Sequence, residues 1–383
     1  MTSEIRVAIV HDDLIQFGGA EKVFMALLDL YPSASVYTSV ISTEWKDILQ
    51  KKKINVSTSF MQSLINAVSW NRFYSTFLFH LIAFERFDLS SFDLVISSSS
   101  RFAHGVITKP DTKHICYMHS PGRMFWEQSK YFENEKLSKN IFGRIVYTLG
   151  SFPLSFMRLW DYAASQRVDM FVSNSIGVHN KITRFYQRDS SVIYPFCDVS
   201  YFTEQASEET GSKGEYGEFY LVLSRLISWK KIEIAIEACK KTNNKLIIAG
   251  DGPDRKRLEK LAGSNCTFLG FVDEPQKKKL LRDAKALILT QEEDFGLTSL
   301  EAMASGTPVI AYGLGGALET VVPGNTGEFF SPQTSAALAL ILEKFSRDTY
   351  KSEVSLARAK EFDKTVFLGK MKALIESFYV PKN

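Results

Sequence analysis

Cysteine is scarce in this chain and badly placed for a structural role. The four residues, Cys116, Cys197, Cys239 and Cys266, lie far apart and form no CxxC pair. That spacing argues against a disulfide framework and a thiolate metal site, and buried free thiols in a reducing compartment are expected. An excess of one charge is also missing. Lys plus Arg number 46 against 43 for Asp plus Glu, a net +3 that gives no case for a nucleic-acid partner. Long apolar runs are absent too. Within an aromatic region at 60–86 the longest uncharged piece is Phe73–Phe84, and a second stretch, Ile145–Met157, is broken by Pro153. Both are too short to span a bilayer. Charged and polar residues close behind Met1 give no signal-peptide pattern, so a cytoplasmic location is expected. No GxGxxG occurs, which counts against a dinucleotide oxidoreductase.

What remains is the composition of an ordinary globular protein, 45% apolar and 23% charged, in a chain of 383 residues. That length exceeds what one hydrophobic core usually serves, so two domains are expected. Apolar runs at Ile5–Val10, Asp93–Ser97, His114–Met118, Asp169–Ser173 and Val192–Tyr194 read as strands of the first. Runs at 219–224, 245–249, 267–270, 286–290 and 309–311 read as strands of the second, with helical segments between them. This alternation predicts an α/β architecture with two parallel sheets. The polar stretch Thr203–Gly217 marks the neighbourhood of the boundary. The boundaries are set at 1–197, 198–360 and a closing helical segment, 361–383.

Polar chemistry gathers where these strands end. Gly18-Gly19 follow the first strand and His11-Asp12-Asp13, and open an amphipathic helix that stops before Pro32. Strand, glycine turn and helix is a layout that suits a phosphate, although a plain tight turn has the same sequence. His119 follows a strand and precedes Ser120-Pro-Gly-Arg123, which places it in the crevice where open α/β sheets bind ligands. In the second domain, Arg225 and Lys230 flank the first crossover, a planar fork and a point charge suited to a diphosphate. Spacing alone leaves Lys231 as an alternative to Lys230. Turns containing Gly252 and Phe271 open onto the same edge. The densest stretch is Glu293-Asp-Phe-Gly-Leu-Thr-Ser-Leu-Glu301: strand, acidic loop, helix, then Gly306 and Pro308 as stop signals. A helix start at Phe295-Gly296-Leu297 offers free N–H groups to an anion. Glu293 and Glu301 suit the hydroxyls of a sugar, while an acidic cap and a solvated helix residue would read the same way.

Taken together, these residues resemble the retaining nucleotide-sugar glycosyltransferases of family 4, with the GT-B fold. The resemblance rests on Glu293 and Glu301 with seven residues between them, on Arg225 with Lys230, on Gly18-Gly19 and on His119. Within the family the chain is most similar to bacterial mannosyltransferases of O-antigen and capsule assembly, through His11-Asp12, His119-Ser-Pro121 and the run Gly315 to Thr320. It departs from them at Ser224-Arg-Leu226 and in the loop after His119.

The resemblance implies two Rossmann-like domains facing each other across a cleft, the first on the acceptor side and the second binding the donor. The 361–383 helix would pack back on the first. It implies that Glu301 holds the ribose hydroxyls, Glu293 those of the donor sugar, and that His119 contacts the transferred sugar. Arg225, Lys230 and the backbone at Gly18-Gly19 and Phe295-Gly296-Leu297 would hold the diphosphate, so no metal and no other cofactor is expected. The implied partners are a nucleotide-sugar donor, with GDP-mannose leading and UDP-, ADP- and dTDP-sugars as alternatives, and a polyprenyl-diphosphate-linked saccharide. The 60–86 and 141–165 segments could rest on the inner-membrane surface or belong to the core. A GT-B epimerase, a phosphorylase and a non-catalytic sugar-nucleotide-binding subunit are the competing functions.

Overall fold

The structure, a computed structural model, describes residues 5–74, 78–127, 154–204 and 217–379. The polar stretch at 205–216, Phe77 and the 141–153 part of the second aromatic segment lie outside them. The chain divides into two compact units, Met1–Pro195 with Phe367–Asn383, and Phe196–Val366.

Unit 1 carries strands β1 (Val7–His11), β2 (Ser35–Thr38), β3 (Val56–Thr58), β4 (Leu94–Ser99), β5 (Lys113–Met118), β6 (Met170–Ser173) and β7 (Ser190–Val192). They form one parallel sheet in the order β3-β2-β1-β4-β5-β6-β7. Every residue of β1 and β4 is buried. Strands covered on both faces must be apolar on both, which is why Val7-Ala-Ile-Val10 shows no alternation. Phe84, Phe102 and Phe125 fill the core on one side, and Phe171, Ile182 and Tyr186 pack beneath β5 and β6.

Unit 2 carries β8 (Tyr220–Leu223), β9 (Leu246–Ala249), β10 (Cys266–Gly270), β11 (Ala286–Leu289), β12 (Val309–Tyr312) and β13 (Gly327–Phe330). Their order is β10-β9-β8-β11-β12-β13, again all parallel. The helix Glu233–Lys241 lays Ile234, Ala235, Ile236 and Ala238 into the core with Leu338 and Leu342 of the helix Ser335–Lys344. The C-terminal helix, Lys364–Phe378, belongs to unit 1 from Phe367 onward, where Phe367 meets the Tyr117 ring at 5.8 Å between centroids.

In each sheet the strand order reverses once, between β1 and β4 in unit 1 and between β8 and β11 in unit 2. Crossovers leave a reversal point on opposite faces, so the loops diverge and a crevice opens at the strands' carboxyl ends. The loops after β1, β4, β8 and β11 are therefore where ligand chemistry is to be sought.

Three strands, β2, β3 and β13, were not among those the apolar runs predicted. Each is short and rich in Ser, Thr, Gly or Glu, and pairing with a neighbour supplies what its sequence does not. Cys116, Cys197 and Cys239 are buried, Cys266 is half-buried, and all are free thiols. Among the described residues no helix is long and apolar enough to cross a membrane.

Candidate active site

In unit 2 the loop after β11 leads into the helix Leu297–Ala304. Gly296 is the N-cap, at φ +88°, and brings no side chain to cap the helix. A Ser or Asp there would cover the first N–H groups with its own oxygen; glycine leaves them for a ligand. Gly306 takes φ +74° just past the helix end, as a C-terminal glycine should. Phe295 is buried and packs on Phe362, with 5.7 Å between ring centroids, so its side chain anchors the loop. Its expected part in donor binding falls to the backbone.

Lys230 donates to Glu293 Oε1, and Gln291 donates to the same oxygen. The Lys230 ammonium also lies 4.4 Å from the Trp229 ring centre. This settles which lysine of the crossover faces the acidic loop. Lys230 ends a 3-10 turn, Ser228–Lys230, and the next helix begins at Glu233. Lys231 takes a left-handed conformation between them, which ends the turn and prevents an earlier helix start. Thr290 ties the two loops together by donating to the Lys230 carbonyl at 2.7 Å. Arg225, after β8, is exposed.

Glu301 is 6% exposed, so the reading of it as a solvated helix residue is wrong. Its partner is Lys277, whose ammonium is 3.0 Å from Glu301 Oε1 and 2.8 Å from Glu274. Lys277 was not among the sequence candidates. It sits on the helix Glu274–Asp283, and nothing in the spacing links it to Glu301. Gly252 approaches the loop after β8 so closely that a Cβ would lie 2.3 Å from the Leu226 carbonyl oxygen. Phe271, beyond β10, is 84% exposed.

The run Gly315 to Thr320 supports the acidic loop from behind. Gly316 N–H donates to the Glu293 carbonyl at 2.8 Å, and a Cβ on Gly316 would lie 2.2 Å from Phe295 Cα. Gly315, at φ +68°, would place a Cβ 2.4 Å from the Glu293 carbonyl oxygen. Ser299 and Thr320 join hydroxyls at 3.0 Å, and Arg358 donates to the carbonyls of Glu319 and Thr320.

In unit 1, Gly18 caps the helix Gly19–Leu30, again without a side chain. Asp12 is buried and accepts four backbone N–H groups, from Ser100, Arg101, Phe102 and Ala103, at 2.6–3.0 Å. Burial pushes its carboxyl up, but Arg101, His11 and these N–H groups outweigh burial and hold it below the ordinary range. Asp13 pairs with Arg101, yet burial wins there and its carboxyl is raised. His119 is half-buried at the end of β5, with Nε2 2.8 Å from Ser98 Oγ. Ser98 Oγ is also 3.1 Å from His11 Nδ1, and His11 Nε2 is 3.9 Å from Glu21 Oε1. The predicted residues thus form two groups: Gly18, Gly19 and His119 in unit 1, and the others in unit 2.

Residues 204–362 match the family model for glycosyl transferases group 1. An uncharacterized glycosyltransferase of Methanocaldococcus jannaschii is 34% identical over 151 residues, covering 37% of this chain and 39% of that protein. Human alpha-1,3/1,6-mannosyltransferase ALG2 is 29% identical over 203 residues, covering 45% and 49%. The matches thus span about two fifths to half the length of these relatives. Among solved structures, Anabaena Alr3699/HepE in complex with UDP superposes with a TM-score of 0.69 at 18% identity, over 97% of this chain and 100% of that one. WaaG, a glycosyltransferase involved in lipopolysaccharide biosynthesis, gives 0.67 at 17%, over 97% and 99%. At these identities the likeness shows the fold, which is GT-B.

Proposed function

We propose that the protein is a retaining glycosyltransferase that moves a hexose from a nucleotide-sugar to a lipid-linked saccharide, without a metal. The observation that carries this reading is the convergence at the β8/β11 reversal point. Lys230, Glu293 and the uncapped start of the Leu297–Ala304 helix meet there, inside the stretch that matches the group 1 family. A lysine and an open helix start stabilise the negative charge that grows on a departing diphosphate. Arg225, on the loop after β8, adds a guanidinium that can grip two phosphate oxygens at once. Fixed positive charge then does what a bound cation does elsewhere. Glu293 takes the hydroxyls of the transferred sugar and Glu301 those of the ribose. Phe271 and the Gly252 turn, at the neighbouring strand ends, serve the base. His119, in unit 1, takes the sugar-contacting role that the family resemblance implies for it.

The first unit serves the acceptor in this reading. Apolar side chains stand exposed on it at Ile65, Trp70, Ile82, Phe156 and Leu159, which suits a membrane-borne acceptor at the inner-membrane surface. Mannose is favoured as the sugar because several partial relatives are mannosyltransferases by name. The UDP held by a structural neighbour supports a nucleoside diphosphate in general.

A thermal-shift screen across GDP-, UDP-, ADP- and dTDP-sugars tests the reading. At about 100 times its Kd the true donor stabilises by about 2.7 kcal/mol. A flat response to all four, with turnover of none, would overturn it.

A further inference from the structure

Three consecutive serines at the carboxyl end of β4 each hold a histidine. Ser97 Oγ is 2.8 Å from His114 Nε2, and Ser99 Oγ is 3.1 Å from His104 Nδ1. Both of those rings are fully buried. Ser98 differs, because its single hydroxyl stands between two rings, His119 and His11, and only His119 reaches solvent. Behind His11 lies Glu21, which the glycine turn brings back to the strand end. Its Oε2 would be 3.0 Å from a Cβ on Gly18, a tight approach that any larger residue there would press against. His11, Ser98 and Glu21 are 2%, 0% and 4% exposed, so water does not compete for these contacts.

A hydroxyl has one proton, and a neutral imidazole has one donor and one acceptor nitrogen. These counts, with the charge of Glu21 beside His11, set the polarity of the row. At 3.9 Å the Glu21 carboxylate is beyond hydrogen-bond reach, but its negative charge favours the neutral His11 tautomer whose proton sits on Nε2, facing it. His11 Nδ1 is then an acceptor and takes the Ser98 O–H. The Ser98 oxygen in turn accepts from His119 Nε2–H, which leaves His119 Nδ1 without a proton. If the His11 ring were an imidazolium, the polarity would reverse and His119 would carry its proton on Nδ1. The groups that bear on His11 are Glu21 from the helix, Asp12 and Asp13 beyond its own strand, and Arg101 beyond β4.

We infer that Glu21, His11 and Ser98 are positioning residues that hold His119 in its Nε2–H tautomer, so that it presents an accepting nitrogen to the substrate hydroxyl. The substrate part of this inference rests on the glycosyltransferase reading; the tautomer part stands on the contacts alone. A hydrogen bond to one ring nitrogen decides what the other can do. A reaction that needs an acceptor at His119 then depends on three residues that never touch substrate.

The test uses the full chain labelled with nitrogen-15 on its six histidines, at about pH 8.5, roughly two units above the ordinary histidine value. Long-range proton–nitrogen correlation spectra report the tautomer, and His119→Gln identifies the His119 signals. The expected result is an Nε2–H pattern for His119 in the wild type and a mixture of tautomers in Ser98→Ala. The kcat of Ser98→Ala should fall about 10-fold with nucleotide affinity unchanged. Glu21→Gln keeps the packing and removes the charge that selects the tautomer, so it should give the same mixture even if Ser98→Ala folds poorly. An Nδ1–H pattern in the wild type overturns the inference, as does an unchanged pattern in Glu21→Gln. Normal turnover by His119→Gln would instead strike the function proposed for His119 and leave the tautomer result standing.

Discussion

Lys230 and Glu293 are paired with each other, although they serve different parts of the ligand in the proposed function. A diphosphate that draws the ammonium away releases the carboxylate, so phosphate binding readies the sugar site. Lys230→Ala and Arg225→Ala should each lower kcat/KM by at least about 100-fold, the loss expected for a transition-state charge contact. Glu293→Gln should lower kcat without weakening nucleoside diphosphate binding, since the neutral amide competes less for Lys230. Titration calorimetry with the diphosphate and steady-state kinetics measure both. Weaker diphosphate binding by Glu293→Gln would contradict the coupling, and activity lost in EDTA and restored by Mg²⁺ would contradict the metal-free reading.

The second glutamate is held differently. Lys277 lies between Glu301 and Glu274, and its ammonium is 5.4 Å from the Phe202 ring centre. Lys277→Met should cost about 3 kcal/mol, because it removes a charged partner from a buried carboxylate. It should also weaken nucleotide binding by freeing the Glu301 side chain to turn. Adding Glu301→Gln should restore part of the stability and none of the affinity. Urea melts and nucleotide titrations of both single variants and the double variant give the cycle. Additive stability losses would show that the two do not act as a pair.

The parts of this protein that were legible from the sequence are those whose signal is local. Val7-Ala-Ile-Val10 and Ala286-Leu-Ile-Leu289 read as buried strands because both faces of a parallel sheet demand apolar residues. Gly296 and Gly306 read as helix limits because the backbone needs them there. Short strands such as Ser35–Thr38 were missed because their pairing comes from neighbours distant in sequence. Lys277 was missed because its tie to Glu301 spans separate helices. Ser98 left a faint sign, a run of serines ending a strand whose burial calls for apolar residues.

Gly316 is a case where local backbone contact governs a distant side chain. A Cβ there would strike Phe295 Cα at 2.2 Å, one residue before the helix N-cap. Gly316→Ala should push the acidic loop off the glycine run and misplace both Glu293 and the N–H groups of the helix start. The expected loss is about 100-fold or more in kcat/KM, with a melting temperature lowered by only a few degrees. Gly324→Ala is the control, since a Cβ there meets nothing within 4 Å and only its φ of +73° is strained. Equal activity losses in the two variants would deny the loop contact a special role.

The exposed apolar side chains of the first unit give a prediction about surfaces. Trp70 is 50% exposed and Ile82 is 48% exposed, side chains of the kind that settle at a membrane surface. If they meet lipid, the wild type should float with liposomes containing anionic lipid, and Trp70→Asp with Ile82→Asp should not. Nucleotide binding should be unchanged in the double variant, which shows that unit 2 is intact. Equal and negligible flotation of both proteins would leave these side chains without a membrane role.

Asp12 links the site to the acid stability of unit 1. Its folded carboxyl lies below the ordinary range, against the effect of burial, because Arg101, His11 and the backbone N–H groups favour the charged form. The sign follows from linkage: the unfolded chain binds the proton more tightly, so folding gains stability above about pH 4 and loses it as pH falls towards the folded value. Asp13 has the opposite sign, since its carboxyl is raised and its contribution declines as pH increases. Asp12→Asn keeps the shape, and its neutral amide has one accepting oxygen for the four N–H groups. It should lower stability by about 3 kcal/mol at neutral pH. Its urea-derived stability should also fall less steeply than that of the wild type between about pH 5 and pH 3. Because Asp12 adjoins His11 in sequence, the loop after β4 that it organises also bears on the row ending at His119. A variant that retained full acid sensitivity would show that other carboxylates govern it, and would separate the stability of this strand end from its chemistry.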